Sequence, residues 1–126
     1  MTKWFPAAAV FSILAASATL FAVPNSATHT WEGYVTDTYC GYNRVNKAPT
    51  AECTLKCVKD QHAQYAFFNF ADKKVYVLNP QSEAAKYAGK TVEVKGTVAG
   101  SEKFATSNGP SSGAIITASS ITPESK

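Results

Sequence analysis

The sequence predicts a small, mainly β domain that carries one or two short helices. Thr91 to Val98 alternates strictly, so Val92, Val94 and Val98 share one buried face while Glu93, Lys95 and Thr97 face water. Four further runs rich in β-branched and aromatic residues recur along the chain, bounded by turn-forming residues. Helix signals are confined to two short segments.

The first residues read as a leader rather than as part of the fold. Lys3 supplies a basic start, and Trp4 to Val23 follows without one charged side chain. Pro24-Asn25-Ser26-Ala27 then ends in a small residue suited to cleavage. This is the pattern of a secretory signal peptide over residues 1–27, cut after Ala27, with Ala22 as the second candidate. The competing reading is an uncleaved anchor, since about twenty apolar residues can span a bilayer. Pro6 and the many small residues make it a poor span. No cysteine stands at the cleavage position, which argues against a lipid anchor. The expected location is therefore periplasmic or extracellular, with membrane contact only through the leader before cleavage.

Residues 28–126 remain, enough for one domain with a modest core. Without Lys3 the chain has eleven basic and nine acidic side chains, a net charge of +2. So weak and interspersed a bias favours neither nucleic acid nor an anionic membrane surface as partner.

Trp31 to Thr38 is the first strand, with Trp31, Gly33 and Val35 opposite Glu32, Tyr34 and Thr36. Tyr65–Phe70 and Lys74–Leu78, separated by Ala71-Asp72-Lys73, read as a hairpin with a short polar loop. Thr91–Val98 is the fourth strand and Ala114–Ile121 the fifth. Gly100 to Gly113, rich in Ser, Gly and Asn, reads as a long loop. Pro80–Ala88 is a short helix with Ser82 as a possible N-cap and Gly89 as its C′ residue. Thr50 caps a second helix through Lys59. Five strands with a small helix between the third and fourth match a five-stranded OB-like barrel. The second helix belongs to a cysteine-bearing loop–helix insertion at about 39–62.

That insertion holds all three cysteines, Cys40, Cys53 and Cys57. At about 100° per residue, Ala51, Leu55 and Val58 form one apolar stripe, which can pack on the barrel. Cys53 and Cys57 lie nearly opposite, where the Cys40 loop can cover them. Residues four apart on a helix have Cβ atoms about 5–6 Å apart. A disulfide needs about 3.5–4.5 Å. Cys40 must therefore be one partner, joined to either Cys53 or Cys57, for about 3 kcal/mol of chain-entropy stabilisation. The third thiol is then buried or free to link two copies as a dimer.

Two other chemistries fit the same residues. Cys40, Cys53, Cys57 and His62 make a three-sulfur, one-nitrogen set suited to Zn²⁺ or Cu(I). Asp37 ahead of Cys40 is either a further ligand or a turn former at the strand end. Thiol chemistry at Cys53, near a helix N-terminus with His62 as base, is the third. No CxxC pair, haem attachment signature, phosphate loop or Ser/His/Asp constellation is present, so no enzyme activity is expected.

Trp31 to Gly41 contains Gly33-Tyr34-Val35-Thr36-Asp37-Thr38-Tyr39-Cys40-Gly41, and Cys53-Thr54-Leu55-Lys56-Cys57 follows on the helix. With Lys74–Leu78 and Tyr87–Gly96, these resemble a family of small exported bacterial domains of uncharacterised function. Its members open on G-x-V-x-D-x-x-C-G and carry a later C-x-x-x-C helix. Some carry a histidine soon after C-G, where this chain has Tyr42-Asn43-Arg44. The resemblance implies export and fold but no activity.

Taken together, the residues favour an exported binding or structural module without cofactor, held by a disulfide from Cys40. The other class is a metal-binding (Zn or Cu) or thiol-redox protein built on Cys40, Cys53, Cys57 and His62. If it binds a ligand in the OB manner, the face of strands two and three offers Tyr65, Phe67, Phe68, Phe70 and Tyr76 for stacking.

Overall fold

Alternating apolar residues have to close on one another, and here they close into a barrel. In the computed structural model, which describes residues 27–43 and 49–124, the strands are β1 (His29–Asp37), β2 (Tyr65–Asn69), β3 (Val75–Asn79), β4 (Thr91–Thr106) and β5 (Gly109–Pro123). They pair in the closed order β1-β2-β3-β5-β4. β3 and β5 run parallel, and the other neighbours are antiparallel. The mainly β, OB-like barrel expected from the sequence is therefore the fold. Helix α1 (Ala51–Asp60) lies between β1 and β2, and α2 (Gln81–Ala85) between β3 and β4. Residues 1–26 of the expected leader and 44–48 of the insertion lie outside the described residues. Among the described residues no helix is long and apolar enough to cross a membrane.

The barrel interior is filled by Val35, Phe67, Leu78, Val92, Val94 and Ile116, all shut off from solvent. Each such side chain contributes about 1.5–3 kcal/mol on burial, so this layer carries most of the stability. Gly33 allows the tightest packing. A Cβ there would meet the Phe68 carbonyl at 1.9 Å and the Phe67 ring at 2.7 Å.

Several sequence-based assignments change. The face of β1 carrying Tyr34 and Thr36, opposite the Gly33–Val35 face, is buried as well. Tyr34 stacks on Phe68 at 4.8 Å, and Phe70 and Tyr42 cover this second, outer cluster. Val98 is 43% exposed, because β4 pairs with β1 only as far as Gly96.

The Gly100–Gly113 segment is not a loop but the distal part of a long β4–β5 hairpin, paired from Ser101↔Ala114 to Thr106↔Gly109. Its ladder rests on backbone bonds, which Ser and Gly support without advertising them. The Thr106 hydroxyl closes the turn by donating to the Gly109 carbonyl at 2.6 Å, and Gly109 takes φ +115°.

The helices differ in their details. Thr50 does cap α1, accepting from the Cys53 N–H at 3.1 Å. Pro80, not Ser82, stands at the α2 N-cap, with no side-chain cap bond. The Gln81 side chain pins that end instead, bonding both the Leu78 carbonyl and the Tyr65 backbone. The Ala51–Leu55–Val58 stripe does not pack on the barrel: Leu55 is 45% exposed, and α1 buries Thr54 and Cys57 instead. Sulfur contacts and the loop beneath, rather than aliphatic area, choose its inward face.

Burying Thr54 leaves its hydroxyl without a hydrogen-bond partner among the described residues. An unpaired buried hydroxyl costs about 1–3 kcal/mol. Thr54→Val, nearly the same shape, should therefore raise stability by about 1 kcal/mol in urea denaturation. A loss of stability would mean that the hydroxyl has a partner.

Candidate functional site

The cysteine lobe is built from the end of β1. Asp37, 2% exposed, closes the strand, and its Oδ1 accepts from the N–H groups of Tyr39 (2.9 Å), Cys40 (2.7 Å) and Gly41 (3.3 Å). Three convergent donors suit a carboxylate and force the chain into a tight turn. Gly41 then lands on Thr36, where a Cβ would sit 1.9 Å from Thr36 Oγ1. The turn delivers Cys40 towards α1.

The helix is fixed from its other side. Gly89, at φ +74°, lies so close that a Cβ would meet the Ala51 nitrogen at 2.4 Å. Its own N–H donates to the Val35 carbonyl at 2.9 Å, tying α1, β1 and the 88–90 segment together. This anchorage sets Cys57 over Cys40. The two Sγ atoms are 2.6 Å apart, longer than the about 2.05 Å of a disulfide bond.

Asp37, Cys40 and Cys57 bring their ligand-type atoms within 4.8 Å of one another. The set of metal-competent side chains differs from that read from the sequence. Cys53 is half-buried one turn earlier on α1, and His62 is exposed just past the helix end at φ +53°. Neither belongs to the group, whereas Asp37 does. Its two candidate roles, turn former and ligand, fall on one carboxylate.

Burial first, then the hydrogen bond to Cys40 and the nearby negative charge of Asp37, push the Cys57 thiol from 9.0 up to about 12. At neutral pH it stays protonated, which makes it a weak nucleophile.

A second feature lies where three segments meet. A cleft of about 480 Å³ opens between Tyr42 of the lobe, Lys73 and Lys74 of the β2–β3 turn, Val75 and Tyr76 of β3, and Gly113 of the long hairpin. Its size suits a small ligand. β3 and β5 pair only from Val77↔Ile115 onwards, so the barrel wall parts here. Tyr42 is held by an edge contact with Phe104 at 5.3 Å. The Tyr76 hydroxyl is bonded to Asp72.

Of the five rings considered for stacking, only Tyr76 lines this cleft. Phe67 is in the barrel interior, and Tyr65 packs against the same core. Phe68 and Phe70 belong to the outer cluster, with the Lys73 ammonium 5.9 Å from the Phe70 ring centroid. Sequence reasoning missed Tyr42, Lys73 and Lys74. The signal was present for Tyr42, since OB-like barrels bind partly with the loop between strands one and two, which here is the insertion.

Fold and site together define a small OB-like barrel with a cysteine-bearing lobe against one wall. Compared with protein-family models, curated proteins and solved structures, the chain matches none.

Proposed function

We propose that the protein is an exported, non-enzymatic binding module, clipped by a Cys40–Cys57 disulfide, whose cleft takes an acidic oligosaccharide. The observation that carries this is the composition of the cleft's rim. Two lysines, Lys73 and Lys74, stand beside two tyrosines, Tyr42 and Tyr76, and the neighbouring Asp72 carboxylate is taken up by the Tyr76 hydroxyl and the Lys74 N–H. Lysines attract carboxylate or sulfate groups, and tyrosine rings offer flat faces to sugar rings. A bond between Cys40 and Cys57 would fix the lobe that carries Tyr42, and so one wall of the cleft. When the bond is open, burial holds the Cys57 thiol protonated, which supports a structural rather than a catalytic use of the pair.

Calorimetric titration with uronate-rich and neutral oligosaccharides of equal length tests the ligand class. The acidic series should bind, and the Lys73→Glu/Lys74→Glu double variant should bind it at least about tenfold more weakly. Equal binding of both series, or binding indifferent to the double charge reversal, would remove the cleft as the site.

A further inference from the structure

We infer that in the reduced protein Asp37, Cys40 and Cys57 form a site for one thiophilic d¹⁰ cation, Zn²⁺ being the reference ion. The inference rests on the pairing of Cys40 with Cys57 proposed above, and it concerns the state in which that bond is open.

Two sulfurs and a carboxylate oxygen already lie within 4.8 Å of one another, on residues that two separate elements bring together. Around tetrahedral zinc, bonds of about 2.3 Å to sulfur and 2.1 Å to oxygen set ligand atoms about 3.6–3.8 Å apart. The sulfurs, now 2.6 Å apart, need to separate by about 1 Å to seat the ion. Asp37 needs no reorganisation of its backbone. Its carboxylate is buried and oriented by three N–H donors, as outer-shell partners orient ligands in metal sites. Cys40 is only half-buried, which leaves the fourth position on the solvent side. Three protein ligands and one open position then complete the coordination.

The disulfide and the ion use the same sulfur electrons and exclude each other. A dithiol reductant gives two electrons and two protons to the Cys40–Cys57 bond and becomes a disulfide itself. The ion then displaces both thiol protons, so uptake weakens as pH falls. The lobe therefore holds a metal only when reduced.

The test uses the mature protein, reduced with a water-soluble phosphine and titrated with Cd²⁺, read by thiolate-to-metal charge-transfer absorption, with Zn²⁺ as competitor. One ion per chain is expected. Asp37→Asn keeps the oxygen that holds the turn, and should weaken binding at least about tenfold with unchanged circular dichroism. Cys53→Ser and His62→Ala should leave affinity unchanged, and the oxidised protein should show no saturable uptake. No stoichiometric uptake by the reduced protein would overturn the site. So would an Asp37→Asn variant that binds like the parent, or a Cys53→Ser variant as impaired as Cys57→Ser. Each of these outcomes is independent of whether the oxidised protein carries the Cys40–Cys57 bond, which thiol counting reports separately.

Discussion

Cys40→Ser should destabilise the oxidised protein by about 3 kcal/mol, the chain-entropy value for closing a loop of this size. In a domain of about a hundred residues that lowers Tm by roughly 10–20 °C. The loss arises because the insertion is joined to the barrel at few points. Within it, α1 buries only Thr54 and Cys57, and it contacts β1 sparingly. Without a covalent tie, the lobe depends on the Asp37 turn, the Gly89 contact, the packing of Tyr42 and a few backbone bonds such as Ser107 N–H to the Tyr39 carbonyl. Cys57→Ser should cost the same, and the double variant no more than either single one, because both remove one bond. Cys53→Ser should fall within about 0.5 kcal/mol of the parent. Thermal unfolding of the four variants decides it. Additive losses from Cys40→Ser and Cys57→Ser would mean that the two sulfurs act separately.

Asp37→Ala should cost about 3–4 kcal/mol: hydrogen bonds to a charged acceptor are worth about 1.5–3 kcal/mol each, and the three half-buried N–H groups that lose theirs regain part of it from water. Their donors form the turn that aims Cys40, so the same change should also slow formation of the disulfide on oxidative refolding. Asp37→Asn retains an oxygen in the Oδ1 position and should cost only about 1 kcal/mol. Urea denaturation of the two variants separates the cap from the charge. Equal losses in both would show that the negative charge, not the accepted hydrogen bonds, holds the turn.

The barrel was legible because its residues obey the period-two rule. Val92, Val94 and Val35 face inward as alternation requires. The Ala71-Asp72-Lys73 linker likewise joins two antiparallel strands. Legibility failed where backbone or tertiary contacts outweigh side-chain pattern. Ser101 to Gly113 forms a ladder with little apolar content, and nothing local to β1 announces that Phe68, Phe70 and Tyr42 cover Tyr34 on its second face. On α1 the stripe of greater hydrophobicity points outward, because Gly89 and the Asp37 turn fix the helix with its cysteine side down. The spacing of the cysteines pointed to Cys40 as the residue that meets α1, and the structure sets its sulfur 2.6 Å from that of Cys57. That Cys57 rather than Cys53 lies over Cys40 depends on where the turn ends, which Asp37 and Gly41 set.

The most direct measurement is thiol mapping of the protein purified under non-reducing conditions. It is alkylated without reductant, digested, and read by mass for labelled and cross-linked peptides. The prediction is a single labelled cysteine, Cys53, and one cross-linked pair joining Cys40 to Cys57. Three labelled cysteines, or a Cys40–Cys53 link, would contradict it.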